Sequence, residues 1–138
     1  MDKSDKTIMK FIVESDLAQL DQLEGFLNQL QEAASFNDEL YAKLMLVLSE
    51  AVTNGMLHGN KLDKSKKVVT EAAVEPESKI TITVTDEGEG FVPDEVPDPL
   101  AEENLLKTSG RGVYLMKEYA DEVEYNDKGN QLKLVFNL

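Results

Sequence analysis

Cysteine is absent from the 138-residue sequence, and with it go disulfide frameworks, thiolate nucleophiles and cysteine-ligated zinc. Histidine occurs once, at position 58. Basic residues are scarce, 14 against 27 acidic ones, for a formal net charge of -13. A surface so negative repels phosphate backbones and anionic bilayers, so neither direct nucleic-acid binding nor a membrane is expected. A bound nucleotide stays open, because it needs only a local cradle and a divalent cation. Long apolar runs are missing too: none approaches the ~20 residues of a membrane helix. The opening MDKSDKTIMKF is charged and has no apolar core of the signal-peptide kind. The expectation is a cytoplasmic protein. No internal repeat or low-complexity segment is visible.

What remains is an ordinary globular composition, 41% hydrophobic and 30% charged, in a length that suits one domain with a real core. The run TIMKFIVE at 7–14 is β-prone. Ser15 and Asp16 then form a helix start before LAQLDQLEGFLNQLQEAA, where Leu17, Leu20, Leu23 or Glu24, Leu27 and Leu30 or Gln31 keep the three-and-four rhythm of a core-facing stripe. Asn37 or Asp38 caps a second helix with a broad apolar surface made by Leu40, Leu44, Val47, Leu48, Ala51 and Val52. The glycine-led, lysine-rich segment GNKLDKSKK reads as a connection. Two β-type runs follow, KVVTEAAVE and KITITVTDE, joined by Pro76, Glu77 and Ser78 as an antiparallel hairpin. In the second, Ile80, Ile82 and Val84 alternate with Thr81, Thr83 and Thr85, so the strand is half buried.

Beyond it, DEGEGF runs into VPDEVPDPLAEENLLKTSG, with three of the four prolines and a short helix at most around Leu100 to Leu106. A loop of this length in a compact domain is usually functional or disordered. GRGVYLMKEYAD predicts a short helix, and EVEYND, KGN and QLKLVFNL a terminal hairpin turning near Asp127 to Gly129. This order of elements predicts an α+β sandwich with helices on one face of a mostly antiparallel sheet.

Three stretches use polar residues or glycine in ways that packing alone does not require. In LVLSEAVTNGMLHGN, Glu50, Asn54 and His58 stand four residues apart, so a continuous helix puts them on one stripe. A helix end emerging into water would look the same, but a buried stripe needs polar partners. In Asp86-Glu87-Gly88-Glu89-Gly90, the glycines allow close backbone approach to a flat ligand and the aspartate can accept from an exocyclic amine. A plain turn explains the first three residues, and Gly90 is left over. Ser109-Gly110-Arg111-Gly112 stands at the head of a helix, where exposed amides and the positive dipole end favour phosphate. A merely flexible loop is the alternative there.

Together, in this order, the three stretches resemble the N box and the two glycine boxes of the GHKL superfamily of ATPases, which includes the ATP domains of histidine kinases and gyrase. The fold so implied is the Bergerat-type two-layer α/β sandwich. ExxxNxxxHGN, DEGEGF and SGRGVYLMKEYADEVEY look most like the bacterial anti-sigma-factor serine/threonine kinases. Neither a P-loop glycine–lysine pattern nor the His-Arg-Asp and Asp-Phe-Gly signatures of protein kinases are present.

The resemblance implies a role for each matching residue. Glu50 would be the general base, and Asn54 would bind Mg²⁺ bridging the phosphates of ATP. Asp86 would hydrogen-bond the adenine amino group, with Gly88 and Gly90 making room for the base. Ser109, Gly110 and Gly112 would line the phosphates, with Arg111 and Lys107 neutralising charge. His58 matches the pattern, and either shapes the pocket's end or acts on phosphate. Residues 92–109 would form an ATP lid within a single domain, 1–138. The activity implied is an ATP-dependent kinase that phosphorylates an anti-anti-sigma (STAS-type) antagonist protein and sequesters a sigma factor, with a homodimer among the expectations. A nucleotide-binding switch without phosphotransfer is the alternative, and a ligand-free scaffold a third reading. The sole histidine lies inside the N box, which disfavours autophosphorylation of the histidine-kinase kind.

Overall fold

The computed structural model describes residues 6–88, 116–126 and 130–138. Strand β1 (Thr7–Glu14) is followed by a 3-10 segment, Leu17–Gln22, and by helices α1 (Leu23–Ala34) and α2 (Asp38–Asn54). Strands β2 (Lys67–Glu75), β3 (Lys79–Thr85), β4 (Glu122–Tyr125) and β5 (Gln131–Asn137) complete the order. Among the described residues the strands form one antiparallel sheet in the order β1-β2-β3-β5-β4. The predicted α+β class and one-sided helix layer are both present. Of the predicted helix from GRGVYLMKEYAD, residues 116–119 are helical and its start lies outside the described residues. The Leu100 to Leu106 helix and the turn near Asp127 to Gly129 also lie outside them.

Alternation sets the sheet's two faces. Val68, Ala72, Val74, Ile80, Ile82, Leu132, Leu134 and Phe136 point to one side and are buried. Register puts Ile82 between Ala72 and Leu134, so a row of apolar side chains crosses the sheet beneath the helices. From above, Leu23, Phe26, Leu27 and Leu30 of α1 and Leu44, Val47, Leu48, Ala51 and Val52 of α2 close this core. Phe11 of β1 stacks on Phe26 with ring centroids 5.3 Å apart, which joins the edge strand to α1.

The helix starts follow local chemistry. The Asn37 side chain accepts the Leu40 N–H at 2.9 Å, and Asp16 accepts from Ala18 at 3.0 Å. The stretch after Asp16 is not α-helical, however, and Leu17 is 45% exposed. The 3-10 turn has three residues where an α-turn has 3.6, so the stripe that Leu23, Leu27 and Leu30 obey does not extend back to Leu17. Strand β3 also ends two residues earlier than the run KITITVTDE suggested, at Thr85.

Candidate functional site

Helix α2 supplies the first part of the site. Glu50 and Asn54, one turn apart, are both half-buried at its C-terminal end. The helix then widens over Gly55–Gly59 into a π-type turn, marked by the Asn60 N–H donating to the Gly55 carbonyl at 2.8 Å. Leu62 N–H reaches back to the Met56 carbonyl at 2.7 Å, closing the end of the helix. His58, within this turn, is exposed. Lys61 and Leu62 leave the helix in left-handed backbone conformation, with φ of 52° and 59°. Such φ values cost an L-residue about 1–2 kcal/mol.

Strand β3 supplies the second part. Its exit delivers Asp86, half-buried, against the widened helix end: a Cβ built on Gly55 would sit 3.6 Å from Asp86 Cβ and 3.2 Å from Val68 Cγ2. Contact is closer still at Gly59 and Gly88. A Cβ on Gly59 would overlap the Asp86 carboxylate, and one on Gly88 would overlap the Gly59 carbonyl. Gly88 is therefore required by the Gly59 backbone, and at Gly59 the Asp86 carboxylate occupies the place a side chain would take.

Asp86 is held on both sides. Its N–H donates to the Asn130 carbonyl at 3.0 Å, and its own carbonyl accepts from Asn130 Nδ2 at 3.1 Å. Its carboxylate oxygen Oδ1 accepts the Gly88 N–H at 2.8 Å, folding residues 86–88 into a tight turn. Next in the chain, the Glu87 N–H donates to Asn60 Oδ1 at 2.8 Å, and the Glu87 carboxylate accepts the Lys67 N–H. Before β2, the Asp63 carboxylate accepts from the Ser65 hydroxyl at 2.6 Å and the Ser65 N–H at 3.0 Å. These donors hold its pKa below the usual carboxylate value.

Of the residues singled out in the sequence, Glu50 and Asn54 lie half-buried in the last turns of α2, Asp86 and Gly88 lie at the β3 exit against Gly55 and Gly59, and His58 stands exposed within the widened turn. Gly90, Lys107, Ser109, Gly110, Arg111, Gly112 and the segment 92–109 lie outside the described residues. Sequence reasoning placed Asn60 in the polar, glycine-led connection after His58, yet it is 2% exposed and hydrogen-bonded by its side chain to three chain segments. Ser15 and Asn130 were missed as well. The HGN triplet carried no local signal for these contacts, because the partners of the Asn60 side chain are Ser15, Lys67 and Glu87, none of them at the helix end itself. Among the described residues no group of three or more His, Asp or Glu side chains is gathered to hold a metal, and no helix is long and apolar enough to cross a membrane.

This geometry can be compared with known proteins. A protein named anti-sigma F factor from Clostridium perfringens is 38% identical over 91 residues, 64% of this chain and 64% of that protein. Proteins of the same name from Oceanobacillus iheyensis and Bacillus cereus are 36% identical over 102 and 88 residues, covering 72% and 62% of this chain and 66% and 60% of theirs. The chain thus spans just under two thirds of these relatives' length. Residues 13–136, which run from the end of β1 to the end of β5 and take in the whole junction just described, match the histidine kinase-like ATPase domain, and the chain belongs to that family.

Proposed function

We propose that this chain binds ATP where the end of α2 meets the exit of β3, and passes the terminal phosphoryl group to a serine or threonine of a small protein antagonist. The relatives' name, anti-sigma F factor, supports a second partner, a sigma factor held away from its polymerase. The observation that carries the nucleotide reading is the mutual approach of Gly59, Asp86 and Gly88, a glycine-bared junction with a carboxylate fixed in it. Such a junction suits a flat base with an exocyclic amine.

The donor set fits the nucleotide. Asp86 would accept from the adenine amino group, and Gly88 with Gly90 would leave the base room. Asn54 offers an amide oxygen, a hard ligand for Mg²⁺, which would otherwise keep water and phosphate oxygens as ligands. When bound, the ion would neutralise phosphate charge. Ser109, Gly110, Arg111, Gly112 and Lys107 would meet the phosphates, and residues 92–109 would close as a lid over a single domain spanning 1–138. Glu50, one turn before Asn54, takes the proton from the attacking hydroxyl while the new oxygen–phosphorus bond forms and the bond to the ADP oxygen breaks. His58, exposed within the widened turn, would shape the pocket's end or act on phosphate. The protein would work in the cytoplasm, and a homodimer fits the family.

The test is incubation with labelled ATP, Mg²⁺ and a candidate antagonist. Label on a serine or threonine supports the kinase, and Glu50→Ala should abolish transfer while leaving ATP affinity nearly unchanged. Tight binding without label would leave a nucleotide-binding switch without phosphotransfer as the second reading.

A further inference from the structure

Among the described residues the buried polar side chains are Ser15, Asn60 and Thr70, and the first two are bonded to each other. Asn60 Nδ2 donates to Ser15 Oγ at 2.9 Å and to the Lys67 carbonyl at 3.0 Å, while Oδ1 accepts the Glu87 N–H at 2.8 Å. Ser15 Oγ in turn donates to the Lys66 carbonyl at 2.8 Å. The amide's orientation is fixed by its neighbours, since the Glu87 N–H needs an acceptor and the Lys67 carbonyl a donor. One side chain therefore ties the end of β1, the start of β2 and the exit of β3 to the last turn of α2.

The widened turn is what brings Asn60 there. Nine residues after buried Ala51, a continuous α-helix would place Asn60 about half a turn away, facing water. The extra residue taken up by the π-type turn sets it back by roughly 100°, toward the core. Asn60 can then reach Glu87, the residue between Asp86 and Gly88.

We infer that Asn60 is a positioning residue for base recognition: by fixing the Glu87 N–H it holds the Asp86-Glu87-Gly88 turn against Gly59 and so aims the Asp86 carboxylate at the amine of the bound base. This rests on the ATP reading proposed above. Asn60 touches no ligand atom itself. Its effect is specific, because a carboxylate set to accept from a 6-amino group rejects a base that presents a 6-oxo group there. Loosening the turn weakens ATP and leaves an oxo base, which never used Asp86, where it was.

The experiment compares the affinity of the whole chain for Mg-ATP and Mg-inosine triphosphate by titration calorimetry, with thermal melting as the control for folding. Wild type should prefer ATP. Asn60→Ala should weaken ATP roughly tenfold, the worth of about one well-placed hydrogen bond, and change inosine triphosphate little, so that the preference collapses. Asn60→Asp keeps an acceptor for the Glu87 N–H and should retain more of the preference than Asn60→Ala. If both nucleotides weaken equally, Asn60 is only structural and the inference is overturned. Should Asn60→Ala fail to fold, Ser15→Ala loosens the same amide from one side and should lower the preference in the same direction by a smaller factor; an unchanged preference in folded Ser15→Ala overturns the inference. A wild type that binds neither nucleotide sinks the ATP reading itself, a distinct outcome.

Discussion

At its N-terminus helix α2 is closed by Asn37, which accepts the Leu40 N–H at 2.9 Å, with Asp38 and Glu39 in the first turn facing the positive dipole end. The other end has no side-chain cap of its own. There the helix widens through Gly55–Gly59, closes on the Asn60 and Leu62 N–H groups, passes through two left-handed residues, Lys61 and Leu62, and is tied by the Asn60 side chain to a turn 27 residues further along the chain. The first end is written in four adjacent residues. The second packs against Asp86 and Gly88 delivered by β3, and regular helix geometry gives way where the proposed ligand would sit.

The sharpest way to break this contrast is Gly88→Ala. A Cβ there runs into the Gly59 carbonyl, a backbone atom that cannot rotate aside. Overpacking of this kind should cost about 2–3 kcal/mol in urea unfolding and, on the ATP reading, abolish measurable nucleotide binding. If the variant is as stable as wild type, the two segments do not approach as closely as described. Asn37→Ala acts at the other end and should cost about 1 kcal/mol, the usual worth of a lost N-cap. Its effect should stop at stability: ATP affinity in the folded fraction should not change, and a change would mean that the two ends are coupled through the helix.

How much of this could be read from the sequence divides along the same line. The alternation of Ile80, Ile82 and Val84 and the Asn37 cap are short-range signals, and the structure carries both. The apolar face of α1 was legible from Leu23 onward but not at Leu17, because the 3-10 turn breaks the 3.6-residue rhythm on which the reading relied. Glu50 and Asn54 stood out as polar residues on an apolar helix, and Asp86 and Gly88 as a glycine-bearing strand exit, yet nothing in either stretch said that Gly59 and Gly88 would touch. That contact is a tertiary fact. Asn60 stayed hidden for a related reason: assuming an unbroken α-helix, its side chain belongs on the wet side, and only the π-type turn reverses this.

The smallest expected effect asks whether the strain at the wet end of α2 is needed there. Lys61 is exposed and has φ of 52°, so Lys61→Gly removes a conformational cost without uncovering a core. Relief of about 1–2 kcal/mol of left-handed strain is offset by about 0.5–1 kcal/mol from the greater freedom of glycine in the unfolded chain. The balance is a stabilisation of about 0.5 kcal/mol, readable as a small rise in the urea midpoint at constant slope. Since Asn60 reaches Glu87 through its side chain and the Asn60 N–H is already tied to Gly55, relaxing the next residue should leave ATP affinity where it was. A variant that is stabilised but binds ATP less well would show instead that the left-handed exit helps to hold Asn60 in place, and would make Lys61 part of the site.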